Sequence, residues 1–576
     1  MKDNLNKICH NKKIVSFIMS FTVYVSLCFQ GILKSYNMLS ILLFITIFYF
    51  IYKIDYKHKY QKGIRMLSIV FSFILLIGRI LYNFRYNPVY DSFYELFRIK
   101  NIVYFLGNFF LIYNVLSLVV PKIVNYKNDN KYKINHIFII SFLIILTCYI
   151  VYYIIYYPAI MTNDSLTELQ MILNLQPITD HHTVIHILFM MIPFKFGHLF
   201  SNNINFCIGL ISIIQITIMS LILAYSISFL YKRNVPKKIL VFLLLYYALL
   251  PVNGFYSITM WKDIIFSCSV VLLTIECIKL VERKNNITLK NSYSFIIVSL
   301  LTVFTRNNAI YMYIILSIIS IIIFRKQIKV IITMILIVFS SYIIIKGPVY
   351  KVFNINTSSS SEYIAIPLQQ VGRMVYKDVK LTKYEKETIN KLIPVKTLKE
   401  VYNPEIVDPI KFNKEYNIKE FEQNKFKYLK LWFNLCIKHP KIAVESYLIS
   451  TLGYWYPGVE YWVTTAKIDP NELGIHNSSF VSSSFRNKFS KIMDNNLPII
   501  GFFNCIGFCF WIIIIFAYIT TKKKNKYMLY AYIPIFGIWV TMLLATPVFA
   551  EFRYIYSGYL CLPIFIGIPF FNKNNK

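Results

Sequence analysis

The sequence predicts an all-α polytopic membrane protein, with about fourteen transmembrane helices and a mainly helical domain outside the bilayer. Three observations carry this. Apolar runs of membrane length recur along most of the chain. Charged residues make up only 15% of 576 residues, with mean hydropathy +0.53, whereas soluble proteins carry about a quarter charged residues. The lysines cluster between the apolar runs, as the excess of cations in cytoplasmic loops requires.

The net charge is +34, from 61 Lys and Arg against 27 Asp and Glu. Nucleic-acid binding is one reading of that balance. Cationic loops facing anionic lipid account for it better, because the lysines are spread between spans rather than gathered on one domain. Of 10 cysteines, only Cys436 falls in the large polar stretch, so no disulfide framework is implied. Cys505 and Cys509 share a helix face and read as small packing residues rather than a metal pair.

The first run, residues 14–33, follows Lys7, Lys12 and Lys13 and reads as a retained first helix. Runs at 38–52, 66–84, 101–120 and 136–157 follow, with basic loops at 53–65 and 122–133 on the side of the N-terminus. Residues 183–200 make another apolar segment. If it crossed, Lys232, Arg233, Lys237 and Lys238 would lie outside. An interfacial or re-entrant segment keeps them inside and suits Pro193, Lys195, Gly197 and His198. Further runs lie at 206–231, 239–255, 263–281, 293–304, 309–324, 330–345, 498–520, 527–545 and 554–570. Both termini are then cytoplasmic.

Four parts result. Residues 1–135 form an N-terminal four-helix addition, and 136–346 a membrane core with a first outer loop at 158–205. Residues 347–497 form an extracytoplasmic domain, and 498–576 the last helices. The outer domain opens with a linker-like Ser358–Ser361. Phe421, Phe426, Leu429 and Phe433 give it helical periodicity. No internal repeat is visible.

This topology gathers Asp164, His181, His182, Lys262, Asp263, Arg306, Glu551 and Arg553 on the outer face, from four separate connections. Charges at a membrane boundary are costly unless paired or hydrated, so such a set marks a candidate site. A carboxylate such as Asp164 can take a proton from an attacking hydroxyl. The competing reading is a helix start, with Ser165 and Glu168 as a capping box. His181 and His182 read as a polar turn, a phosphate contact or metal ligands. Lys262 with Asp263 reads as a local ion pair, or as a cation for a phosphate fixed by its neighbour. Arg306 suits bidentate phosphate binding or snorkelling at a helix end. Glu551 and Arg553 read as a neutralising pair or as part of the site. Tyr454, Trp455, Tyr456, Tyr461 and Trp462 suit either sugar stacking or membrane anchoring.

Together these segments resemble the GT-C superfamily of integral membrane glycosyltransferases. The matching stretches are 157–165, 180–186, 261–263, 306–311, 452–457 and 546–556. More narrowly, they resemble a large family of uncharacterised Firmicutes membrane proteins filed under a domain of unknown function. The resemblance implies that Asp164 is the acid of the first outer loop, serving as the acceptor-activating base or in metal binding. His182 matches a His that often precedes Pro, although Thr183 follows it here. Arg306 and Lys262 would grip phosphate, while Glu551 and Arg553 match only the narrower family. The implied donor is a sugar on a polyprenyl phosphate in the membrane, and the implied acceptor a cell-envelope glycan, lipid or protein. No nucleic acid is expected, and a divalent metal is left open. A lipid-linked glycan transporter or flippase is the alternative, and a non-catalytic membrane scaffold the third reading.

Overall fold

The computed structural model describes residues 12–33, 37–56, 58–127, 132–356, 364–459, 461–494, 500–524 and 526–571. Among them the secondary structure is helical, relieved only by isolated bridges such as Ile160 with Thr259. Among the described residues nine helices are long and apolar enough to cross a membrane. Lys237–Leu249 and Pro251–Ile258, bent by 48°, make a tenth if counted as one span. The break falls at Leu250, ahead of Pro251, whose ring fixes φ and removes a donor. Three of the remaining expected spans are shorter helices: Met38–Lys53, Leu289–Thr305 and Ala309–Ile323. The last is Tyr556–Gly567, continued by a 3-10 turn at Ile568–Phe570. Ser358–Ser361 lie outside the described residues.

By its contacts the chain divides into two units. The first comprises residues 1–126, 363–460 and 546–550; the second comprises 127–362, 461–545 and 551–576. The stretch 347–497 therefore contributes to both.

In the first unit, Lys12–Phe29 and Gln61–Phe84 both pack on Ile99–Asn125. Small buried residues let these backbones approach, as membrane helix pairs require. Gly107 lies against Ser26, where an added Cβ would sit 2.2 Å from the serine Cβ. The 364–459 segment folds as a helical bundle around Leu368, Met374, Leu392, Leu398, Ile410 and Leu435. It is tied to the end of the Gln61–Phe84 span. Tyr376 OH donates to Tyr86 O at 2.7 Å and Lys377 Nζ to Tyr90 O at 3.0 Å. Arg85 Nε meets Glu405 Oε1 at 2.5 Å. Buried Arg373 reaches the Arg85 carbonyl and pairs with Glu445, which also holds Lys377 at 2.9 Å.

The sequence periodicity at Phe421, Phe426, Leu429 and Phe433 proves to straddle two helices, Ile418–Gln423 and Lys425–Lys438. Phe421 is buried, but Phe426, Leu429 and Phe433 are exposed.

The second unit is built around Lys262–Glu282, which is buried along most of its length. It packs on Leu289–Thr305, Ile204–Tyr231 and Tyr556–Gly567. Tyrosine hydroxyls inside this bundle bond to acceptors on neighbouring helices, since hydrocarbon offers no replacement. Tyr247 OH donates to Leu560 O at 2.7 Å and Tyr556 OH to Asn253 Oδ1 at 2.8 Å. The N-terminal end of the central helix presents Trp261, Lys262 and Asp263 to the candidate site. An irregular strap, residues 461–482, covers the first connection. Asp469 N donates to Met161 O at 2.9 Å, Asn477 Nδ2 to Ala159 O at 2.9 Å, and Ser478 N to Tyr157 O at 2.9 Å.

Candidate functional site

All eight residues singled out in the sequence lie in the second unit, and the fold brings them together. Asn163–Ile172 begins at N-cap Thr162, which places Asp164 in the first turn. The expected capping box is not formed. Ser165 Oγ donates instead to Met260 O at 2.5 Å, and the Thr162 hydroxyl accepts from Trp261 Nε1 at 2.8 Å. These bonds dock the first connection on the start of Lys262–Glu282. Asp164 therefore points outward, and its Oδ2 accepts from Arg553 Nη1 at 2.7 Å.

Arg553 joins two acids. Its Nε lies 3.3 Å from Glu551 Oε1, and its guanidinium stacks over Trp261 at 5.1 Å. The Glu551 and Arg553 pairing read from sequence is present, with Asp164 as a further partner. Trp261 in turn lies 6.0 Å from Trp462 of the strap, a ring 43% exposed.

The expected Lys262 and Asp263 ion pair does not form. Successive residues on a helix point about 100° apart, and each finds another partner. Lys262 Nζ donates to His181 O at 2.9 Å. Asp263 Oδ1 pairs with Arg306 Nη1 at 3.1 Å, and Arg306 also donates to Tyr554 O at 3.0 Å. Arg306 is 7% exposed and therefore does not snorkel.

Beneath Asp164, Glu168 faces both His186, at 2.5 Å from Nδ1, and His182, at 3.4 Å from Nδ1. To one side, Asp180 receives Lys346 at 2.5 Å and Tyr350 OH at 3.2 Å, while Asn307 donates to its carbonyl. Glu168, His186, Lys346, Asn307 and Tyr350 were not singled out as site residues. His186 stands four residues after His182, and that spacing was the one legible signal. Lys346 and Tyr350 lie too far along the chain for local spacing to place them. Tyr454 and Tyr456, by contrast, are buried packing residues of the first unit. Tyr454 OH donates to Val548 O at 3.1 Å, and the Tyr456 ring fills the space beside Gly78.

The electrostatics differ from one acid to the next. Burial raises the Asp164 carboxyl, but Arg553 and Lys262 outweigh it and hold it at about 2. Burial likewise raises Glu168, and His186 and His182 bring it down to about 2. Glu551 is pushed up to about 7 by burial, with Arg553 opposing and Asp263 and Asp164 adding to the rise. Among the described residues no group of three or more His, Cys, Asp and Glu side chains is gathered to hold a metal ion. Among the three acids paired with Arg306 or Arg553, Asp164 is the most open, with its side chain 40% exposed, against 4% for Glu551 and 2% for Asp263. Lys262 is half-buried, its contact is a carbonyl rather than a carboxylate, and its charge acts on nearby Asp164.

The fold and this charge-lined site define a multi-pass helical membrane protein with a polar site at the end of its most buried helix. Residues 174–575 match a family of unknown function, DUF6020. The match spans more than two thirds of the chain, and the chain belongs to that family. Asp164 precedes the matched region, and the other seven residues singled out lie within it. No curated protein matches the chain. No solved structure matches it.

Proposed function

We propose that this protein is a GT-C-like glycosyltransferase. In this reading it moves a sugar from a polyprenyl-phosphate donor to an acceptor at the outer face of the bacterial cytoplasmic membrane. One observation carries the proposal: a half-open carboxylate, Asp164, stands against Arg553, with Lys262 and an exposed tryptophan, Trp462, in the same cluster.

The chemistry follows from that arrangement. The acceptor hydroxyl attacks the anomeric carbon, and the bond from that carbon to the phosphate oxygen breaks. The phosphate leaves with the bonding pair, and the hydroxyl proton passes to Asp164. At about 2, Asp164 is a weak base while Arg553 holds it. A phosphate engaging Arg553 and Lys262 removes that counter-charge, and the carboxylate becomes a stronger base as the donor arrives. The exposed face of Trp462 suits a sugar ring.

The test is release of polyprenyl phosphate from labelled lipid-linked sugars by purified protein. Wild type is expected to turn over. Asp164→Asn, folded by its melting curve, is expected to lose about 100-fold or more in kcat. Trp462→Ala is expected to raise KM more than it lowers kcat. Equal turnover by Asp164→Asn would put the base elsewhere. No release with any donor, together with movement of lipid-linked glycan between leaflets of proteoliposomes, would make the protein a flippase.

A further inference from the structure

The Lys425–Lys438 helix is apolar on two opposite faces. Tyr428, Leu431 and Leu435 turn inward to the core of the 364–459 bundle. Phe426, Leu429, Phe433 and Ile437 turn the other way and are 82%, 40%, 57% and 63% exposed. At about 100° per residue these four share an arc of roughly 80° opposite the core. Exposed Lys425 and Lys430 border that arc on its two sides. Apolar side chains flanked by lysines are the composition of a helix lying in a membrane interface.

The bundle carrying this helix is fixed to the end of a span in the same unit. Tyr376 and Lys377 bond to the carbonyls of Tyr86 and Tyr90, just past Gln61–Phe84, and Pro440–Ser450 packs on that span. A bilayer boundary is therefore close. The choice of occupant follows from charge. A lysine-edged stripe on a chain of net charge +34 repels a second copy and attracts phosphate headgroups.

We propose that the Phe426, Leu429, Phe433 and Ile437 face docks on an anionic bilayer, with the four apolar side chains below the phosphates and Lys425 and Lys430 against them. This stands apart from any transfer chemistry.

The test uses the full chain in nanodiscs of phosphatidylglycerol and phosphatidylethanolamine. A nitroxide is attached at Phe433→Cys, at Phe426→Cys or, on the polar shoulder, at Asn434→Cys, and labelled wild type supplies the background from native cysteines. Collision rates with oxygen and with a water-soluble nickel chelate are compared. Oxygen is expected to dominate at 433 and 426, and nickel at 434. Neutralising lysines, as in Lys425→Gln with Lys430→Gln, is expected to move the docked fraction toward water by roughly fivefold per lysine. Phosphatidylcholine nanodiscs are expected to shift it the same way. Nickel dominating at 433 and 426 would overturn the proposal. Shielding from both reagents would also overturn it, because a protein would then cover the face. Docking that ignores lipid charge would overturn the role of the lysines.

Discussion

Glu551 and Glu168 are two buried glutamates with opposite responses to pH. Burial raises Glu551 from 4.5 to about 7. Between those values the folded protein keeps a proton that the unfolded chain has lost. Its contribution to stability therefore falls as pH rises from about 4.5 to about 7 and is level above. Glu551→Gln removes that slope. The variant is expected to gain roughly 3 kcal/mol on wild type between the two ends of the window, from the size of the rise. Melting curves in detergent at both ends check this, and parallel curves would contradict it. For Glu168 burial raises the carboxyl, but His186 and His182 win and bring it to about 2. Its contribution is present above about 4.5 and is lost as pH falls toward 2. Glu168→Gln is expected to flatten that acid-side loss. The sequence marked Asp164, Arg306 and Arg553 because charge beside long apolar runs is rare. It did not mark Glu168, because Ser165 three residues earlier offered a local explanation for it. A long-range bond from Ser165 to Met260 removed that explanation.

Among the elements, the short turn Leu452–Tyr454 rests on close backbone contact. A Cβ on Gly453 would lie 2.8 Å from both the Ala550 Cα and the Phe549 carbonyl oxygen. Backbone cannot swing aside as a side chain can. Gly453→Ala is expected to break the Gly453 N to Phe549 O bond and to destabilise by roughly 1–3 kcal/mol. A lowered melting temperature checks it, and an unchanged one would mean the 546–550 segment shifts freely. At this scale the sequence was largely legible. Each of the fourteen apolar runs contains a helix, because burying backbone in hydrocarbon leaves little else. What local pattern did not show was length and breakage. Pro251 divides one span, and Asn424 separates Phe421 from the residues expected to extend its face. A helix with two apolar faces also defeats a rule that assigns one face to the core.

For the whole molecule, one acid holds the two cations, Arg373 and Lys377, that reach from the 364–459 bundle to the carbonyls of Arg85 and Tyr90. Glu445 neutralises both Arg373 and Lys377, with side chains 7%, 2% and 9% exposed. Glu445→Gln leaves two buried cations without their counter-charge. The expected loss is about 3–5 kcal/mol, seen as a lower melting temperature and faster proteolysis near residues 85–90. A loss under about 1 kcal/mol would mean that water reaches the pair. Nothing in the local pattern marked this joint, because pairing across nearly 300 residues leaves no trace in periodicity.

The first unit is assembled from three stretches of chain, the last of them residues 546–550. A ribosome delivers its opening helices well before its closing residues. More than 400 residues of the other unit and its own middle stretch emerge in between. The first four helices are thus made long before the unit they belong to is complete. Cutting them away would not trim a tail but would remove the seat on which a later domain settles.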